Sequence, residues 1–275
     1  MHVGVALFFT AESIRPADLA RALEERGFES LWAPEHSHIP LTRSSPWPQG
    51  GELPKKYFQV MDPFVTLTAA ATATERLKVA TGICLVPQRD VFQTAKSVAT
   101  LDVLSSGRFL FGIGAGWNED EMRNHGVDPK IRMKLMREKV EAMRVIWRED
   151  TASYAGDLVA FDAMQTWPKP DAPPPVYVGG AFPFGARRAL RYGDAWLPHA
   201  RRPHYHILEK MPEYREMEQA AGRSVPVTVF GGEPDAEMLK KYRDAGVDRV
   251  VVNLDPMDRD ASLAKLDAWV AAGVV

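Results

Sequence analysis

The chain has 275 residues, 45% hydrophobic and 25% charged, an ordinary soluble globular composition. Its 34 Lys and Arg against 36 Asp and Glu give a formal charge of −2, which argues against nucleic acid or a membrane surface as partner. Cys84 is the only cysteine, so an internal disulfide is excluded. The opening MHVGVALFF lacks the pattern of a signal peptide, and no run reaches the ~20 apolar residues of a membrane span, so a cytoplasmic protein is expected.

Short apolar runs alternate with amphipathic segments. In chain order the strand-like runs are Val3–Phe9, Phe28–Ala33, Leu77–Leu85, Arg108–Gly114, Val176–Gly179, Ala195–Leu197, Val225–Phe230 and Arg249–Leu254. Their near-continuous β-branched character is that of strands covered on both faces, as in a parallel sheet. Helical patterns follow them. Pro16 opens one that carries Leu19, Ala22 and Leu23 to a stop at Gly27, and Met133–Trp147 carries Leu135, Val140, Met143 and Ile146 on one side. Eight such units predict a single (β/α)8 TIM-barrel domain over residues 1–275 rather than an open doubly wound sheet. Two stretches break the rhythm: a Pro- and Gly-rich insertion after the second strand, His36–Val60, and the irregular Asp150–Pro175. In a barrel both are expected near the mouth.

The run GRFLFGIGAGWNEDE places Gly112, Gly114 and Gly116 at alternate positions. A dinucleotide fingerprint needs glycine at 117, where Trp117 stands, and Glu119, Asp120 and Glu121 would repel a pyrophosphate. Two readings remain: bare backbone against a flat ligand, or a tightly packed strand end. A better anion site is VYVGGAFPFGARR, where Gly179 and Gly180 end a strand, a helix starts near Phe184, and Arg187 and Arg188 lie in its first turns.

The blocks FESLWAPEH, TERLKVATGICLVPQRD, AKSVATLDVLSSGRFLFGIGAGW and PPPVYVGG resemble the bacterial luciferase-like family of flavin and deazaflavin oxidoreductases. The tail from Arg223 to Leu254 resembles its actinobacterial branch that uses coenzyme F420. The resemblance implies an enzyme with its cofactor ring at the C-terminal ends of the barrel strands. It implies a bulge, often with a non-prolyl cis peptide, within Gly82, Ile83 and Cys84. It places Gly112, Gly114, Gly116 and Trp117 beside the ring, and the cofactor phosphate at Gly179, Gly180 and Ala181. Glu35 and His36 match an acidic residue and a histidine near the reactive carbon. An imidazole can exchange the proton that accompanies hydride movement, while Glu35 is expected to orient its neighbours. His199 is expected near the mouth and His204 on the surface; His38 is a further candidate.

Relatives that oxidise sugar phosphates carry a carboxylate directly after the third glycine. Trp117 stands there, which fits a less polar substrate. Cys84 has no cationic or helix-start setting to activate it as a nucleophile, and no metal-ligand spacing is present. The function expected is hydride transfer between F420 and a small organic substrate. The alternatives are a monooxygenase using reduced FMN from a separate reductase, and a non-catalytic flavin-binding protein. A homodimer is implied by the resemblance, and Arg187, Arg188, Arg201 and Arg202 are expected to meet the anionic F420 tail.

Overall fold

The computed structural model describes all 275 residues. Eight parallel strands form the wall: β1 (His2–Leu7), β2 (Ser30–Ala33), β3 (Lys78–Thr81), β4 (Phe109–Gly114), β5 (Val176–Gly179), β6 (Ala195–Leu197), β7 (Thr228–Gly232) and β8 (Arg249–Leu254). They hydrogen-bond in the order β7-β8-β1-β2-β3-β4-β5-β6. The ring closes between β6 and β7 through single bridges, Trp196 with Val227 and His199 with Phe230. That seam is sparse because Pro198 and Pro226 stand in it; each lacks an N–H and can only accept, from Phe230 N and Trp196 N.

A helix follows each strand: α1 (Pro16–Glu25), α2 (Pro63–Ala71), α3 (Val91–Leu104), α4 (Arg132–Arg148), α5 (Phe184–Tyr192), α6 (Met211–Ala221), α7 (Ala236–Asp244) and α8 (Arg259–Ala271). Four of them start on an aspartate whose carboxylate accepts from the third backbone N–H beyond it: Asp62 from Val65, Asp90 from Gln93, Asp235 from Met238 and Asp258 from Ala261. The outer core lies between strands and helices as one cluster of 63 buried residues. A second cluster of nine fills the barrel interior, with a side chain from every strand: Ala6, Trp32, Ala80, Leu110, Tyr177, Ala195, Leu197, Phe230 and Val251. The barrel is therefore a packed core, with its open chemistry confined to the mouth.

The expected third strand, Leu77–Leu85, is interrupted. Pairing stops at Thr81, the Gly82–Ile83 peptide is cis, and Cys84–Leu85 resumes beside β4. Residues 150–175 are not wholly irregular: Ala152–Ala155 and Ala160–Met164 pair as an antiparallel hairpin. The loop after β2 contains a helical turn, Lys56–Gln59, and is fastened at several points. Ser44 donates through its N–H and hydroxyl to Asp120, the Glu119 N–H donates to Ser45, and Lys56 pairs with Asp255 at 3.0 Å.

Candidate active site

His36 lies just beyond β2, under the inserted loop. Its Nδ1 is 2.7 Å from Oε2 of Glu121, a residue with no solvent exposure. Glu121 is the third residue of a short helix, Glu119–Asn124, that starts on Asn118 after the glycine run. Its other oxygen accepts from the Ser37 N–H at 3.1 Å. A carboxylate can only accept, so Nδ1 carries the hydrogen and Nε2 is the nitrogen free to exchange a proton. Aromatic rings box the imidazole: Trp117 lies edge-on at 5.7 Å and Tyr57 at 5.5 Å.

Glu35 is buried and turned away from this exchange. It accepts from the Leu85 N–H at 2.6 Å and from Arg89 Nε at 2.5 Å, and Arg89 also pairs with Asp62 at 2.7 Å. The carboxylate thus ties the end of β2 to the chain just past the bulge, the orienting role expected for it. Glu35, His36, Gln88, Arg89 and His125 border a cleft of about 390 Å³. Burial, with Glu35 beside it, pushes the Cys84 thiol up, so Cys84 is no thiolate at neutral pH.

The glycines are explained by protein packing. A Cβ on Gly112 would lie 1.9 Å from the Thr81 carbonyl oxygen, and one on Gly114 would lie 2.0 Å from Ile83 Cδ1. Both are buried, and the neighbouring strand and the bulge fill the space on their Cβ side. Gly179 is similar, 2.8 Å from the Ile113 carbonyl. Gly116 has φ +82° and Trp117 is only half-buried, so these two stand nearer the cleft.

At the end of β5 the chain turns sharply into α5. Gly180 has φ +142°, and a Cβ there would lie 2.6 Å from Arg188 Nη2. The Ala181 carbonyl accepts from Gly185 N at 2.6 Å, and the Phe182 N–H donates to Tyr205. Arg188 forms no ion pair and its buried Nε has no partner; Arg132 nearby likewise keeps a buried, unpartnered Nε. Arg132 also reaches Glu119 at 3.9 Å, so the Arg188 donor beside the Gly180 turn is the one that could hold an anion. The other rim arginines differ. Arg187 is exposed over Phe184, and Arg201 is exposed and pairs with Glu233 at 2.8 Å. His204 is exposed, as expected, while His199 is half-buried at the mouth.

Residues 2–267 match the luciferase-like monooxygenase family model, and the chain belongs to that family. An uncharacterized protein of Mycobacterium tuberculosis is 37% identical to it over 98% of both chains. The F420-dependent hydroxymycolic acid dehydrogenase of the same species is 28% identical over 82% of this chain and 60% of its own. Among solved structures, monooxygenase RslO1 from Streptomyces bottropensis superposes with a TM-score of 0.78 at 19% identity, covering 99% of this chain and 98% of its own. An F420-dependent secondary alcohol dehydrogenase in complex with an F420–acetone adduct gives 0.74 at 22% identity, with the same coverage. The barrel is thus the luciferase-like TIM barrel. No helix is long and apolar enough to cross a membrane.

Proposed function

We propose that the protein is an F420-dependent oxidoreductase that moves a hydride between the deazaflavin and a small organic substrate. The observation that carries this reading is the buried Glu121 carboxylate hydrogen-bonded to His36 Nδ1, which leaves Nε2 for proton exchange under an aromatic wall. The family, and F420-dependent relatives such as the hydroxymycolic acid dehydrogenase, support it. The residues present fit the cofactor: the Gly180–Ala181 turn and the orphaned Arg188 donor suit a phosphate. Bound there, F420 supplies two-electron hydride chemistry. The chain's own contribution is to hold the proton at His36 Nε2, fix the tautomer through Glu121, and exclude water with Trp117 and Tyr57.

Titration of the purified protein with F420 and with FMN tests the reading. F420 should bind more tightly, and His36→Ala should keep that affinity while lowering turnover by about 10²-fold on any substrate found in a panel screen. Tighter FMN binding, with oxygen consumed in the presence of reduced FMN, would move the protein to the monooxygenase reading.

A further inference from the structure

The mouth has a second polar face. In an eight-strand ring ordered β7-β8-β1-β2-β3-β4-β5-β6, β2 and β6 are four strands apart either way, so the segment after β6 stands opposite His36. His199 lies in that segment. Its ring meets Phe230 edge-on at 5.5 Å, and Phe230 in turn reaches within 2.7 Å of a Cβ position on Gly82. His199 therefore lies one side-chain layer above the interior cluster, on the side facing out of the barrel. Asn253 of β8 is two residues beyond the interior Val251, so it projects on the same face, and it is exposed. Asn253 Nδ2 and His199 Nδ1 converge on Gly231, 3.2 and 3.8 Å from its Cβ position.

Arg202 lies three residues beyond His199 in the same segment after β6. It is half-buried, forms no ion pair, and its Nε is sequestered without a partner, whereas adjacent Arg201 has Glu233. Burial and the Arg202 charge hold His199 down to about 4, so this imidazole is neutral at pH 7. Tyr205 is the one anionisable group acting on Arg202, and no carboxylate does. A half-buried guanidinium with a sequestered, unpartnered Nε and no counter-charge is costly, and its usual partner is a planar oxyanion. The His36 side shows the contrast, since Arg89 there is neutralised twice over, by Glu35 and Asp62.

We propose that Arg202, with His199 and Asn253, receives a carboxylate of the substrate, so that the protein acts on small organic acids whose reacting carbon lies between this subsite and His36. Assignment of the oxyanion to a substrate rests on the oxidoreductase reading above; the subsite itself does not. The competing source is an anionic group of the cofactor.

The test uses the cofactor-free full chain with isotope-labelled histidine, and benzoate as probe with benzamide as the neutral control. Benzoate should shift the His199 ring signals saturably and benzamide should not; Arg202→Gln should weaken benzoate at least about tenfold, and Arg202→Lys less. Arg202→Gln should leave F420 and FMN affinity unchanged. No saturable shift with benzoate, equal response to benzamide, or undiminished binding in Arg202→Gln each overturns the subsite. Loss of F420 affinity in that variant assigns the anion to the cofactor and overturns the substrate proposal. Failure of the wild type to bind either F420 or FMN while benzoate still binds sinks the oxidoreductase reading separately, and with it the substrate assignment.

Discussion

Glu121→Gln isolates the role of the buried carboxylate because it preserves shape and removes one acceptor. In the wild type the two oxygens accept from His36 Nδ1 and from the Ser37 N–H. The backbone N–H can only donate, so the glutamine oxygen must face Ser37 and its NH2 group must face Nδ1. Two donors then oppose each other unless the imidazole gives up the hydrogen on Nδ1 and takes the other tautomer, with hydrogen on Nε2. That form cannot accept a proton at the nitrogen facing the cleft. The protonated ring also loses a charge-assisted hydrogen bond worth about 1.5–3 kcal/mol, or ~10–150-fold. Turnover should fall by that factor near neutral pH. Nitrogen-15 spectra of the histidine ring read the tautomer directly, and a thermal melt checks that the fold survives. An Nδ1–H tautomer retained in Glu121→Gln, with undiminished turnover, would refute the reasoning.

Glu29→Gln should destabilise the barrel by about 3–5 kcal/mol in urea unfolding, because Arg249 is buried and both of its donor contacts to Glu29 are 2.7 Å. Burial pushes that carboxyl up, but Arg249 holds it down to about 2, so the pair's contribution is full above pH 4.5 and lost as pH falls toward 2. Gly114→Ala should cost about 1–3 kcal/mol by overpacking against Ile83, measured by the same unfolding curves, and an unchanged midpoint would mean the bulge yields freely. His199 binds its proton more weakly folded, about 4, than the ordinary 6.5, so the unfolded chain takes up more protons between those values. Stability should therefore fall as pH drops from 6.5 to 4, and His199→Asn should flatten that part of the curve; parallel curves would remove His199 from the account.

The strands were legible because burial on both faces leaves an unbroken apolar run, and each of the eight expected runs overlaps an observed wall strand. The break at Gly82–Ile83 was invisible to hydrophobic pattern and came only from resemblance. The hairpin at 152–164 was missed because its strands are short and mostly exposed, with little apolar alternation to read. At the site, His36 stood out through its place at a strand end. Its partner did not, since Glu121 is 85 residues away and sits in an acidic run that reads as repulsion toward phosphate. Only the fold shows that one member of that run turns inward under an Asn118 cap. Arg202 was seen as one of four rim cations; what sets it apart from its neighbour Arg201, a missing carboxylate, is a property of neighbours in space and not in sequence.

The fit of Ile83 into its surroundings has a consequence for how such barrels diverge. Its Cδ1 fills the place of a side chain on Gly114, and its Cγ2 lies 3.4 Å from that of Gly179. One branched side chain thus supplies the volume beside two strand positions, while its half-exposed remainder shapes the mouth. A smaller residue at 83 would open a void in the wall as well as widen the pocket, and a larger one has nowhere to go. Change at this wall is therefore expected to proceed in matched exchanges, a methyl lost at 83 for a methyl gained at 114. The inserted loop after β2, fastened by a few hydrogen bonds and one ion pair, can vary residue by residue.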